Sequence, residues 1–470
     1  MNSQDPQPTP GAAASNKTSN RKISRRTLVK AGAASAFAGM SIPPIYAAQD
    51  NVIRIALVGC GGRGTGAVGD AMQAKAGPIK LHAMADVFQD RLDFSAGILE
   101  KEHADRFDVN KDRRFIGFEA YKAAIDLLKP GDIAIFATPP AFRWAHFGYA
   151  IQKGVNVFME KPTTVDGPST RRMLALAAES EKKNLKVGVG LMCRHCVVRQ
   201  ELHDKIKDGL IGDITLLRAY RMHGPVGTAL TRPMPAGQKE LPWQIRNFHG
   251  FLWASGGCFS DFYIHNIDET CWMKDAWPIK AQATGGRTYR DGFVDQNFDS
   301  YSVEYTFADG AKLFMEGRTM SGCHQEHSSY AHGTKGSAII SASGHFPTKA
   351  RAFKGQNFVN SDVIWRGPAE EPNPYQLEWQ HLLEAIRQDK PYNEARRGAE
   401  ASLVTAMGRM AAHTGQIITY DEALNSEQDL GGEIDKLVMD GPAPVRADEK
   451  GIYPIPQPGK RSGAKKKWEF

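Results

Sequence analysis

Val52-Ile53-Arg54-Ile55-Ala56-Leu57-Val58-Gly59-Cys60-Gly61-Gly62-Arg63-Gly64 is the stretch on which the fold turns. Its first half is an aliphatic run of strand length. Its second half breaks into glycine before a helical pattern of small residues begins. A buried strand that turns through glycines into a helix opens a β-α-β unit. Downstream, apolar runs at 79–85, 133–137, 155–159 and 186–191 alternate with helical patterns at about 88–101, 121–128, 142–153 and 168–183. Such short, wholly apolar runs separated by helices predict a parallel sheet covered on both faces. Right-handed crossovers make a doubly wound order the simplest one.

The texture changes after Met192. A helical segment at 202–210 and an extended one at 214–222 lead into a Pro/Trp/Gly-rich stretch, 224–257, and a helix over about 259–273. Strand patterns follow at 279–287, 300–307, 311–318 and 336–342, with Ala308-Asp309-Gly310 as a hairpin turn between two of them. Late helices are predicted at 375–386 and 399–414. This half reads as an α+β domain on a mostly antiparallel open sheet. The expected organisation is a leader at 1–50, a first domain at 51–190, a second at 191–425 and an extension at 426–470 that trails over the surface or a neighbour.

The 470 residues are 41% hydrophobic and 24% charged, ordinary values for a globular chain large enough for two cores. The net charge of +7 sits at the ends. Lys17, Arg21, Lys22, Arg25, Arg26 and Lys30 face only Asp5 and Asp50, and Lys460, Arg461, Lys465, Lys466 and Lys467 face only Glu469. Residues 51–458 are therefore close to neutral, which argues against nucleic acid as a partner.

Ser24-Arg25-Arg26-Thr27-Leu28-Val29-Lys30, followed by a weakly apolar Ala/Gly-rich run, has the form of a twin-arginine export signal. The expected partner is that export machinery, and the expected location is periplasmic or otherwise exported. Gly32, Gly39 and Pro43-Pro44 weaken the alternative of a spanning helix. The six cysteines form no disulfide framework. Cys193-Arg194-His195-Cys196 has the spacing of a metal knuckle or a redox pair, but no second pair completes four ligands. Cys323, His324 and His327 are incomplete in the same way. No metal is expected.

Gly59-Cys60-Gly61-Gly62-Arg63-Gly64 fits G-x-G-x-x-G between a strand and a helix. Gly59 serves the tight turn, Gly61 lets a pyrophosphate approach the backbone, and Gly64 packs helix on strand; Gly62 and Arg63 complete the loop. Asp86, 22 residues past Gly64, ends the second strand, where a carboxylate holds ribose hydroxyls. Its charge favours NAD over NADP, although Arg91 keeps NADP open. Thr138-Pro139-Pro140 and Glu160-Lys161-Pro162 follow later strands and so border the same crevice. Asp261 and His265 share one helical face just after Gly256-Gly257. An imidazole there can accept a hydroxyl proton while the carboxylate orients it. Arg194, His195, Arg246 and Tyr263 are candidates to line a substrate pocket.

Together these residues resemble the Gfo/Idh/MocA oxidoreductases, a family that includes inositol dehydrogenases and exported glucose–fructose oxidoreductase. The resemblance rests on the glycine loop, Asp86, Glu160-Lys161-Pro162, and Gly256-Gly257 with Asp261 and His265. It implies a Rossmann-type first domain and catalysis by Lys161 and His265 with Asp261 in support. It also implies a second sheet whose back face pairs subunits into a homodimer or homotetramer. The expected substrate is a sugar or cyclic polyol, oxidised by a tightly bound nicotinamide cofactor, since an exported enzyme must keep its dinucleotide. A redox-neutral glycosidase working by oxidation, elimination and reduction is the alternative, and a non-catalytic dinucleotide-bound sensor a third reading. The 224–255 stretch is expected to shape the substrate pocket.

Overall fold

The computed structural model describes residues 51–459 apart from 289, 290 and 343, together with short strands at Arg461–Ser462 and Lys467–Trp468. The segment expected to be an export signal lies outside the described residues. No helix among them is long and apolar enough to cross a membrane.

Six parallel strands form the first sheet: β1 (Ile53–Val58), β2 (Ile79–Asp86), β3 (Arg114–Ile116), β4 (Ile133–Phe136), β5 (Asn156–Met159) and β6 (Val187–Val189). Their order, β3-β2-β1-β4-β5-β6, is the doubly wound arrangement expected. β1, β4, β5 and β6 are almost wholly buried, as their unbroken apolar sequences require. Only the three-residue edge strand β3 escapes the sequence pattern. The order reverses between β1 and β4, so a crevice opens at their carboxyl ends, beside Gly59 and Ala137.

The second sheet has nine strands: β7 (Ile214–His223), β8 (Lys280–Gly286), β9 (Ser300–Thr306), β10 (Lys312–Thr319), β11 (Glu326–Gly333), β12 (Ser337–Ser341), β13 (Arg351–Phe353), β14 (Val363–Arg366) and β15 (Ile418–Thr419). They lie in the order β14-β13-β12-β11-β7-β10-β9-β8-β15, and every pair is antiparallel except β7 with β10. Alternate residues of β9 and β10 enter a core shared with Phe259, Tyr263 and Ile267 of the Gly257–Lys274 helix and Leu403, Val404 and Met407 of the Ala395–Thr414 helix. β11, Glu-His-Ser-Ser-Tyr-Ala-His-Gly, carries no apolar alternation and is missed by sequence pattern. It is held between β7 and β12, and its buried Ser329 bonds Asn266 and Glu269 of the Gly257–Lys274 helix.

Two segments depart from expectation. The Pro374–Arg387 helix returns to the first sheet, where Trp379 stacks on Phe158 with ring centroids 4.2 Å apart. The C-terminal extension does not simply trail: Ile434, Ala443 and Tyr453 are buried with Trp243, Phe251 and Trp253. Tyr453 donates to Glu240 (2.7 Å), and Gln244 donates to the Val445 carbonyl (2.8 Å). The extension therefore straps down the irregular 224–257 stretch, which forms helices at Glu240–Arg246 and Leu252–Ser255.

Candidate active site

The glycine loop is as tight as its sequence suggests. Gly59 has φ +97°, and a Cβ there would stand 2.6 Å from the Ala137 backbone. A Cβ on Gly64 would lie 2.0 Å from the Gly59 carbonyl oxygen. Around Gly62 nothing lies within 4 Å of such an atom, and at Gly61 only the Arg91 side chain does. Two glycines are thus closed against protein, while the other two open into a cavity of about 310 Å³ at the start of the Gly62–Gln73 helix. Free N–H groups and the helix dipole at that point suit a pyrophosphate. Asp86 accepts from the backbone N–H of Cys60 (2.7 Å) and of Phe88 (2.9 Å), which fixes its carboxylate at the cavity wall. Burial raises its pKa, with the two backbone bonds and Arg91 opposing. These residues fit a dinucleotide: a cradle without side chains for phosphates and a pinned acceptor for ribose hydroxyls.

Thr138 and Pro139 line the same cavity. Buried Arg143, which sequence reasoning missed, holds that turn by donating to the carbonyls of Phe136 (2.7 Å) and Thr138 (2.9 Å). Arg63 lines the cavity and also pairs with Glu160 (2.8 Å) and Asp70 (2.9 Å), tying the loop to the end of β5. The roof comes from the second domain: Thr228, Ile245, Arg246, Phe248 and His249. The irregular stretch expected to shape the substrate pocket therefore covers the cofactor cavity.

Beyond the cavity lie the groups expected to carry the chemistry. Lys161 Nζ donates to the Asp261 carbonyl (2.7 Å) and sits 3.6 Å from its carboxylate. His249 Nε2 lies 3.2 Å from the other carboxylate oxygen, while its Nδ1 faces the Thr228 hydroxyl at 3.0 Å. Burial alone would raise the Asp261 carboxyl, but Lys161 and His249 outweigh it and hold it below the ordinary range. The expected Asp261–His265 partnership is replaced by this one: the short carboxylate turns to the cation and imidazole facing it, not to its helical neighbour one turn on. His249 stands in a Phe-His-Gly-Phe context that carries no local signal; only the fold brings it to Asp261.

His265 is buried, and its Nδ1 has no hydrogen-bond partner among the described residues. Its ring packs on His345 at 4.2 Å, and His345 meets His327 edge-on at 4.4 Å. Burial, then the charges of Lys161, Arg221 and Arg199, hold the His265 imidazole well below its usual pKa, so it is a neutral acceptor. Cys193, His265 and His345 offer ligand-type atoms within 4.8 Å of one another. The knuckle spacing around Cys193 thus gains partners that no sequence interval shows. The field of Arg199, Arg221 and Lys161 opposes a dication there.

The weaker substrate candidates are used elsewhere. Arg194 is clamped on Asp268, with contacts of 2.8–3.2 Å, and lies against Trp272 and Trp277. His195 faces His381 (2.8 Å) and Glu394 (3.4 Å). Tyr263 is a core residue whose ring fills the space beside Gly317. Arg246 belongs to the cofactor cavity, not the substrate: it pairs with Asp90 through contacts of 2.6 and 2.9 Å and lies 3.9 Å over the Phe88 ring. All six cysteines are free thiols, and five are buried.

Residues 53–190 match the oxidoreductase family with an NAD-binding Rossmann fold, and residues 199–339 match the GFO/IDH/MocA C-terminal domain. The chain belongs to the Gfo/Idh/MocA family. It is an oxidoreductase whose first domain is built for a nicotinamide dinucleotide. The chain is 21% identical over 313 residues to the rhizopine catabolism protein MocA of Rhizobium meliloti, covering 65% of this chain and 82% of that one. It is 22% identical over 283 residues to the inositol 2-dehydrogenase of Rhizobium meliloti strain 1021, covering 56% and 78%. The aldose-aldose oxidoreductase of Caulobacter crescentus superposes with a TM-score of 0.60 at 17% identity, over 78% of this chain and 99% of that one. The scyllo-inositol dehydrogenase of Lactobacillus casei gives 0.56 at 21%, over 79% and 98%. At these identities the structural likeness establishes the fold.

Proposed function

We propose that this enzyme oxidises a hydroxyl of a sugar or cyclic polyol with an NAD that stays bound between turnovers, and that a second carbonyl substrate then takes the hydride back. The observation that carries the reading is His265, a neutral imidazole with an unpartnered nitrogen, within the field of Lys161, whose partner Asp261 also contacts His249 of the dinucleotide cavity. When bound, the nicotinamide supplies the hydride acceptor. His265 takes the hydroxyl proton as the carbonyl forms. Lys161, anchored on Asp261, donates a hydrogen bond to the reacting oxygen. Asp261 and His249 position the lysine.

The roof over the cavity supports retention, because the Arg246–Asp90 pair and the strapped 240–255 segment must open before a dinucleotide can leave. Retention suits export by the twin-arginine route to the periplasm, for which the Arg25-Arg26 segment is the support. Asp86 supports NAD over NADP. The outer face of the second sheet carries Tyr220, Tyr330 and Phe358 around Arg218. This aromatic patch supports pairing of two copies.

The test is His265→Ala. It should keep its dinucleotide and lose about 1,000-fold or more in turnover, in line with removal of a general base. Retained activity would refute the assignment. Release of an aglycone with no net change in the cofactor would favour the redox-neutral glycosidase, and inertness across sugars and glycosides the sensor.

A further inference from the structure

We propose that the substrate carries a carboxylate, and that Arg221, with His327 and His345, holds it beside His265. The inference rests on the dehydrogenase reading and adds the class of substrate.

Most cations around His265 have a carboxylate. Lys161 has Asp261, Arg199 has Glu269 at 2.7 Å, and Arg194 has Asp268 at 2.8 Å. Arg221 has none among the described residues. Its guanidinium, half-buried on β7, has the imidazole of His327, its register partner on β11, as its hydrogen-bond partner among the described residues. A partly desolvated guanidinium without an anion is costly, and a bound carboxylate offsets that cost through two parallel hydrogen bonds.

The surrounding groups are equally unspent. From Arg221 the rings of His327, His345 and His265 form a continuous row, with centroids 4.4 and 4.2 Å apart. The His345 ring is part-exposed and makes no hydrogen bond to any described residue. Burial and the positive neighbours push His327 down to about 3 and hold His345 well below its usual pKa. Both rings are therefore neutral N–H donors, and along this row Arg221 is the charge that lacks a carboxylate among the described residues. A single positive charge matches a monoanion such as a carboxylate; the dianion of a phosphate monoester would be left half-compensated. The substrate class is thus a uronic or aldonic acid, its carboxylate at the Arg221 end of the row and its reacting hydroxyl at the His265 end. The same balance disfavours a metal on Cys193, His265 and His345.

The full chain with its retained cofactor provides the test. Glucuronate, galacturonate and gluconate are compared with glucose, galactose and myo-inositol by nicotinamide reduction, and by calorimetric binding of the acids. The acids should be preferred by about 30-fold or more in kcat/KM. Arg221→Gln should lose about that factor for the acids, mainly in KM, as when one partner of a buried charge pair is truncated. Arg221→Lys, which keeps the charge without the fork, should fall between, and both variants should keep the wild-type melting cooperativity. Neutral sugars oxidised as well as the acids would overturn the inference and leave the dehydrogenase standing. Arg221-dependent binding of acids without cofactor reduction would support the subsite and overturn the dehydrogenase. Stoichiometric zinc in the purified protein, lost in Cys193→Ser, would overturn the anion subsite in favour of a metal.

Discussion

The two ends of the interdomain site are built on opposite principles. At the cofactor end, contiguous residues do the work: Gly59 to Gly64 form the cradle, and Asp86 is spent on two backbone N–H groups before any ligand arrives. At the histidine end, His265, His327, His345 and Arg221 come from a helix, two strands and a loop, and polar atoms are left unpaired. The first end is pre-satisfied and stabilises the fold. The second holds hydrogen-bonding capacity in reserve for a ligand, which costs stability.

The sharpest way to break this contrast is at Gly64. Gly64→Val places a Cβ on the Gly59 carbonyl oxygen. It should destabilise the first domain by about 3 kcal/mol and abolish dinucleotide retention. A variant with normal melting and bound cofactor would mean that the loop is less closed than described. Next in size is Asp86→Asn, which should weaken NAD by about 2 kcal/mol and narrow its preference over NADP. Dinucleotide titration of stripped protein measures both effects.

The histidine end should reveal its cost through pH. His327 is pushed down to about 3, and His265 and His345 lie well below the usual value, with burial as the leading cause. Below the unfolded histidine pKa of about 6.5, the unfolded chain binds protons that the folded chain refuses. Stability should therefore fall steadily from about pH 6.5 towards pH 3, by at most about 1.4 kcal/mol per pH unit per histidine. Urea midpoints across that range check the sign, and His327→Gln should flatten the slope. The smallest effect belongs to Arg246→Ala: its pair with Asp90 is largely exposed, so dinucleotide release should quicken only about two- to five-fold.

The same division explains what could be read in the chain. The parallel sheet, the glycine loop, Asp86 and the Asp261–His265 helix are local patterns, and the residues stand where the patterns place them. His249 and His345 sit in segments with no periodicity, and β11 is polar because it faces the polar side of the Gly257–Lys274 helix. The stretch around Arg246 carries no pattern that points to the cofactor; the Asp90 contact that holds it at the cofactor cavity joins residues 156 apart. Cys193 shows no ligand set in sequence spacing because its neighbours His265 and His345 arrive from distant segments.

The most direct test follows the bound dinucleotide through one turnover. Purified wild-type protein loaded with NAD is mixed with a hexuronate or a polyol, and the redox state of the dinucleotide is read before and after denaturation. The account predicts reduction of the bound cofactor in proportion to oxidised sugar, absent in His265→Ala although the dinucleotide remains bound. A cofactor that stays oxidised while substrate is consumed, or equal reduction in the variant, would contradict it.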